Sequence, residues 1–173
     1  MLSFDIRSLR EQAVSVDADL EATDPVWQEG DPRPADSVHV SGRLAAAGPD
    51  RFYWHAHIAG TAVAECRRCL TETRQPVAEE LHLVFADAEG EGADDPDVYL
   101  MDADVRELDL RPAIREEWLL AAPAYPLCTP DCKGFCPRCG ANLNDGPCSC
   151  PPATDSRWDA LRTAGSKSGD ESR

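Results

Sequence analysis

The sequence predicts an α+β fold: a small antiparallel β-sheet or partly open barrel, one main helix, and a cysteine-rich C-terminal ribbon. Three observations lead there. Apolar and polar residues alternate with period two through several segments of the first half. One stretch, Asp109–Ala122, carries apolar residues at helical spacing. Four of the eight cysteines crowd into Cys136–Cys150.

Each element has its own signal. Phe4–Arg10 reads as a short strand or turn. Val14, Val16, Ala18 and Leu20 alternate with Ser15, Asp17 and Asp19, as in a half-buried strand. Residues 22–36, with Pro25, Pro32 and Pro34, read as a loop, and Val38–Leu44 as a second strand before the turn Gly48-Pro49-Asp50. Arg51–Glu65 is long and rich in β-formers, with Gly60 expected to mark a bulge or break. Gln75–Phe85 returns as a strand, with Val77, Leu81 and Leu83 spaced by four and two. The intervening Cys66–Cys69 therefore belongs at the tip of an antiparallel hairpin. Ala86–Asp97 holds six acids and no base, which suits either a solvated loop or a dock for a basic protein. Val98–Met101 is one more strand candidate. In Asp109–Ala122, Asp109 can cap the helix and Pro112 falls in its first turn, where proline is tolerated. Leu110, Ile114, Trp118 and Ala121 form one face, read as a core face, and Pro123 stops the helix. The expected organisation is a β-rich body over residues 1–127, a cysteine-rich metal-binding segment over 128–152, and a polar tail over 153–173. Within the tail, Trp158 and Leu161 are i, i+3 neighbours able to pack back on the ribbon.

Composition excludes several functions. A chain of 173 residues suits one domain with or without a small appendage, and is long enough for a core without disulfides. No stretch approaches the ~18 apolar residues of a membrane span. Asp5, Arg7, Arg10 and Glu11 interrupt any apolar signal region near the start, so a cytoplasmic location is expected. Lys and Arg number 17 against 32 Asp and Glu, a net charge of −15, which rules out a general nucleic-acid coat. A local basic spot touching RNA, or an acidic body receiving a basic protein, is compatible with that charge. No phosphate-binding loop, H-E-x-x-H or G-x-S-x-G motif is present, and no carboxylate pair stands out. Neither catalytic residues nor a small-molecule substrate are therefore expected. His55 and His57 project to one side of a strand and read as ordinary sheet residues, while His39 and His82 carry no signal.

The eight cysteines are Cys66, Cys69, Cys128, Cys132, Cys136, Cys139, Cys148 and Cys150. In a cytosolic chain such clusters bind metal more often than they form disulfides. Cys66-Arg-Arg-Cys69 is one C-x-x-C, and Cys136-Pro-Arg-Cys139-Gly140 is a C-P-x-C-G knuckle. Its glycine permits the tight turn that aims amide N–H groups at sulfur. Zinc suits such sites because it accepts four thiolates tetrahedrally at ~2.3 Å. Eight ligands make two sites, so two Zn2+ per chain are expected. Cys136, Cys139, Cys148 and Cys150 lie close enough to close on one ion, with turn formers Asn142, Asn144, Asp145 and Gly146 between them. Cys66, Cys69, Cys128 and Cys132 remain for the other. A redox pair at Cys66/Cys69 is disfavoured, because such motifs usually open a helix and this one follows a strand-like run. A secreted disulfide framework lacks its signal, and an iron–sulfur cluster is a weaker reading than zinc. Four thiolates also leave no open position for catalysis.

Taken in order, these residues resemble a known family. Cys66-Arg-Arg-Cys69-Leu70, Leu108-Asp-Leu110, Arg115-Glu-Glu-Trp-Leu-Leu-Ala-Ala-Pro123, and Leu127 to Asn144 followed by Cys148-Ser-Cys150 are similar to the YceD family of large ribosomal RNA subunit accumulation proteins. The likeness runs from about Glu65 to Leu161 and more faintly through the N-terminal strands. It implies a role in the synthesis, processing or stability of large-subunit ribosomal RNA, with a ribosomal protein or pre-ribosomal large-subunit particle as partner. It brings no catalytic residue. Some members lack the distal ribbon but keep the hairpin C-x-x-C and a His/Cys pair after the helix, which fits Cys136–Cys150 as an added module. Arg67 departs from the family, which often has Gln there; Arg68 matches. Each four-thiolate zinc site carries a formal −2, and Arg67, Arg68, Lys133 and Arg138 flank the knuckles. These bases either balance the thiolates or contact phosphate, which positions a protein without specifying sequence. Two other classes stand beside this reading: a zinc-stabilised protein adaptor without a ribosomal role, and a thiol–disulfide redox protein.

Overall fold

The structure, a computed structural model, describes residues 1–88, 98–102, 105–151 and 157. The chain divides into two units, Met1–Pro130 and Asp131–Arg173. The first contains β1 (Ser3–Asp5), α1 (Ile6–Glu11), β2 (Val14–Glu21), β3 (Ser37–Gly48), β4 (Arg51–Glu65), β5 (Glu72–Asp87), β6 (Val98–Met101), β7 (Glu107–Asp109) and α2 (Arg111–Ala121).

β2 to β6 form one sheet in the order β2-β3-β4-β5-β6, and β1 pairs with β7 in a second, two-stranded sheet. β2 to β5 are antiparallel neighbours, whereas β6 runs parallel to β5. The antiparallel pairing of β2 to β5 agrees with the expected sheet; the parallel β6 departs from it and makes the sheet mixed, and among the described residues the strand order closes no barrel.

Period-two patterning decides which face is buried. Val40 lies opposite Ile58, Leu44 opposite Trp54, Trp54 opposite Leu83, and Phe52 opposite Phe85. All of them are buried. Cross-strand pairing of large apolar side chains on one face fixes register, because a one-residue slip would turn them all to water. Tyr53, His55 and His57 stand on the opposite, exposed face.

Three local expectations are corrected. The segment read as strand or turn splits into β1 and α1, with Asp5, the last residue of β1, capping α1 by accepting a hydrogen bond from the Ser8 amide at 2.9 Å. Gly60 makes no bulge: it pairs in register with Val77, and the irregularity falls instead between Ala46 and Gly48. A Cβ at Gly60 would lie 3.1 Å from the Trp118 ring, so glycine there makes room for the helix. Finally, α2 starts at Arg111; Asp109 belongs to β7, and its carboxylate still accepts from the Arg111 amide at 3.0 Å.

α2 buries Ala113, Ile114 and Trp118. The Trp118 indole is fully buried, meets Trp27 edge-on at 6.2 Å, and donates to the Pro32 carbonyl at 2.6 Å. Arg115 grips Asp31 with two hydrogen bonds of 2.7 and 2.8 Å. That guanidinium holds the Asp31 carboxyl below its ordinary range, against the opposing effect of burial. The 22–36 loop is thereby fastened to the helix, and its end bridges Pro34 to Ala62.

Where Gly42 on β3 pairs with Ala56 on β4, space is tighter still. A Cβ at Gly42 would come within 2.3 Å of the His55 carbonyl oxygen and 2.6 Å of Ala56 Cα, both backbone atoms. Gly42→Ala is therefore expected to force the two strands apart and cost about 3 kcal/mol, read by thermal denaturation. An unchanged melting temperature would contradict this packing.

Candidate metal centres

β4 and β5 remain paired out to Glu65–Glu72, which places Cys66–Cys69 at the tip of their hairpin. The turn is closed by two backbone bonds: Leu70 N–H to Cys66 C=O at 2.9 Å, and Cys66 N–H to Thr71 C=O at 2.9 Å. The second knuckle repeats the pattern, with Gly140 N–H to Cys136 C=O at 2.9 Å and Cys136 N–H to Ala141 C=O at 2.8 Å. Leu70 and Gly140 occupy the same place and the same left-handed conformation, φ 53° and 71°. Such a φ is uncommon for leucine and natural for glycine. The C-P-x-C-G signature and the less obvious Cys66-Arg-Arg-Cys69-Leu70 are thus one backbone motif written twice.

The segment after α2 lies against the first knuckle. Arg67 N–H donates to Pro126 C=O at 2.9 Å, Arg67 Nε to Ala124 C=O at 3.2 Å, and Gln75 Nε2 to Leu127 C=O at 3.1 Å. This brings Cys128 Sγ to 3.5 Å from Cys69 Sγ. Cys66, Cys69, Cys128 and Cys132 all offer sulfurs within 4.8 Å of one another, and so do Cys136, Cys139, Cys148 and Cys150. Tetrahedral zinc at ~2.3 Å from each sulfur needs neighbouring sulfurs about 3.8 Å apart. Both tetrads therefore fit the ion, and their donor set is the one zinc favours.

The electrostatics agree. Burial pushes the Cys66 thiol up, but amide N–H groups of Cys128, Arg68 and Cys69 aimed at its sulfur outweigh this and bring it to about 6. At Cys136 the amides of Cys139 and Arg138 do the same, again to about 6. Cys69 is lowered chiefly by the Thr71 hydroxyl. Cys150 is pushed up to about 12 by the neighbouring Cys139 thiol and by burial. Cys66 and Cys136, one in each tetrad, thus offer a thiolate to a cation at neutral pH.

In the second unit, Phe135 bridges to Asn142. Asn144 supports this ribbon: its Oδ1 accepts from the Lys133 amide at 2.8 Å, and its Nδ2 donates to Cys132 Sγ at 3.4 Å. The sequence marks Asn144 only as a turn former and gives no signal for Gln75 or Thr71; their work emerges from register. Arg67, Arg68, Lys133 and Arg138 are all exposed. Arg67 stacks over the Tyr125 ring, 5.7 Å from its centroid. Trp158 and Leu161 lie outside the described residues, as does most of the acidic stretch 86–97. Among the described residues, no helix is long and apolar enough to cross a membrane.

Curated relatives include one protein of Mycobacterium bovis and two of Mycobacterium tuberculosis, all three termed uncharacterized. Each is 34% identical over 107 residues, covering 60% of this chain and 51% of the relative. The chain thus spans about half the length of the curated relatives it matches. No solved structure matches it. The family model described as large ribosomal RNA subunit accumulation protein YceD matches residues 54–163, a span that takes in most of β4, all of β5 and α2, and all eight cysteines. By that match, the chain belongs to the YceD family.

Proposed function

We propose that this protein is a non-catalytic factor that supports the synthesis, processing or stability of large-subunit ribosomal RNA, with zinc as a structural ion in both cysteine tetrads. The family match over residues 54–163 carries this reading. The donor sets support the structural role: four thiolates per ion leave no open position for a reacting water. Zinc at Cys66, Cys69 and Cys128 would tie the β4–β5 hairpin to the segment after α2, so metal binding becomes folding free energy.

The partner on this reading is a ribosomal protein or a pre-ribosomal large-subunit particle in the cytoplasm. A net charge of −15 favours a basic protein surface as the principal contact. Arg67, Arg68, Lys133 and Arg138 supply the local positive charge that would let the knuckles approach ribosomal RNA phosphate. The test is to deplete the protein in its own cell and measure the ratio of large- to small-subunit ribosomal RNA. A selective fall in the large-subunit species is expected. An unchanged ratio, with depletion verified and no redundant factor, would favour a zinc-stabilised adaptor without a ribosomal role.

A further inference from the structure

The exposed face of the sheet holds a cluster of different chemistry. His55 on β4 is the direct cross-strand partner of His82 on β5. Their rings stack with centroids 4.6 Å apart and planes 8° from parallel. Glu80, two residues before His82 and on the same face, places Oε1 2.7 Å from His55 Nε2 and 3.7 Å from His82 Nε2. Two imidazole nitrogens and one carboxylate oxygen therefore lie within 4.8 Å of one another. All three residues are exposed, on paired strands whose inner faces are packed in the core.

We propose that His55, Glu80 and His82 form a third metal site, for a borderline divalent transition ion such as Zn2+. Two imidazoles and a carboxylate are a donor set zinc accepts, and three protein ligands leave a further position for water or an incoming group. The surroundings suit ligation. Tyr53 Oη lies 2.6 Å from His82 Nδ1. With Nδ1–H donating to the tyrosine oxygen, the lone pair of His82 Nε2 faces Glu80, the outer-shell support that metal-bound histidines have. At His55 the ion takes the place of the hydrogen now shared between Nε2 and Glu80, and the neutral ring carries its one N–H on Nδ1 instead. The ligands sit on strands of the main sheet, which hold geometry better than loops. Unlike the tetrads, this site is open to solvent and closes no loop of the fold. Its ion exchanges freely and is lost without unfolding. The inference does not rest on the ribosomal role.

The full-length chain, with its cysteine tetrads loaded and counted by native mass spectrometry, is titrated with Zn2+ alone in a calorimeter. One further equivalent is expected to bind, more weakly than the first two. H55A and H82A should each abolish it, E80Q should weaken it roughly tenfold, and H39A, whose imidazole lies 3.1 Å from the Asp19 carboxylate, should leave it unchanged. In the unmutated chain, the added zinc should shift the imidazole 15N resonances of His55 and His82 and leave those of His39 in place. Absence of a further equivalent would overturn the proposal. So would binding that persists in the H55A/H82A double variant, or resonance shifts confined to other histidines.

Discussion

Cys66→Ser is expected to lose one of two zinc ions and to lower the melting temperature of residues 1–130 by about 10 °C. The figure follows from linkage: an ion present at about a thousand times its dissociation constant contributes about 4 kcal/mol to the state that binds it. For a unit of this size each kcal/mol moves the midpoint by a few degrees. Cys148→Ser should also lose one ion, but β4 and β5 should keep their amide protection, because its tetrad lies within Cys136–Cys150. Hydrogen exchange separates the two variants. If both lost the same protected amides, the division into two centres would be wrong. The pH dependence has a definite sign. The folded, metal-free Cys66 thiol sits at about 6 against an ordinary value of 9.0. Folding therefore releases a proton between those values. The stability this contributes is present in full above about pH 9 and disappears as pH falls through about 6. Zinc capture by this thiolate should weaken once pH falls below about 6.

Trp118→Ala is expected to cost about 4 kcal/mol, in the range for deleting a large aromatic side chain from a core. The loss has three parts that the surroundings cannot repair. The ring fills the space left by Gly60, packs edge-on against Trp27, and supplies the donor for the Pro32 carbonyl. Trp118→Phe keeps most of the volume and removes the donor, so it should lie between the two, by about 1–3 kcal/mol below the parent. Thermal denaturation with zinc held constant measures both. Equal stability of the alanine and phenylalanine variants would show that the hydrogen bond, not the packing, holds the helix to the sheet.

Much of this architecture was legible as period. Alternation located β2, a long run of β-formers located β4, and the i, i+4, i+4 spacing of Leu110, Ile114 and Trp118 located α2 and its buried face. Cysteine spacing indicated the same division into four and four that the structure brings together. Period two, however, reads identically in either direction, so Val98–Met101 was recognisable as a strand while its parallel pairing with β5 was not. α1, six residues long with only Ile6 and Leu9 buried, is too short to establish a helical period. Gly60 carried the composition of a bulge, but its reason is the Trp118 ring, a contact between residues far apart in sequence. The His55, Glu80 and His82 cluster was invisible for the same cause. His55 and His57 are neighbours along the chain and suggest each other; the partner that matters, His82, is reached only through the register of β4 with β5.

The central claim, that this YceD-family chain is held by two four-cysteine zinc centres, is tested most directly by weighing the intact protein. Native mass spectrometry after passage through metal-free buffer should give the mass of the chain plus two zinc ions, with all eight cysteines free of disulfides. A chain that carries no metal, or one whose mass shows cysteines paired as disulfides, would contradict it.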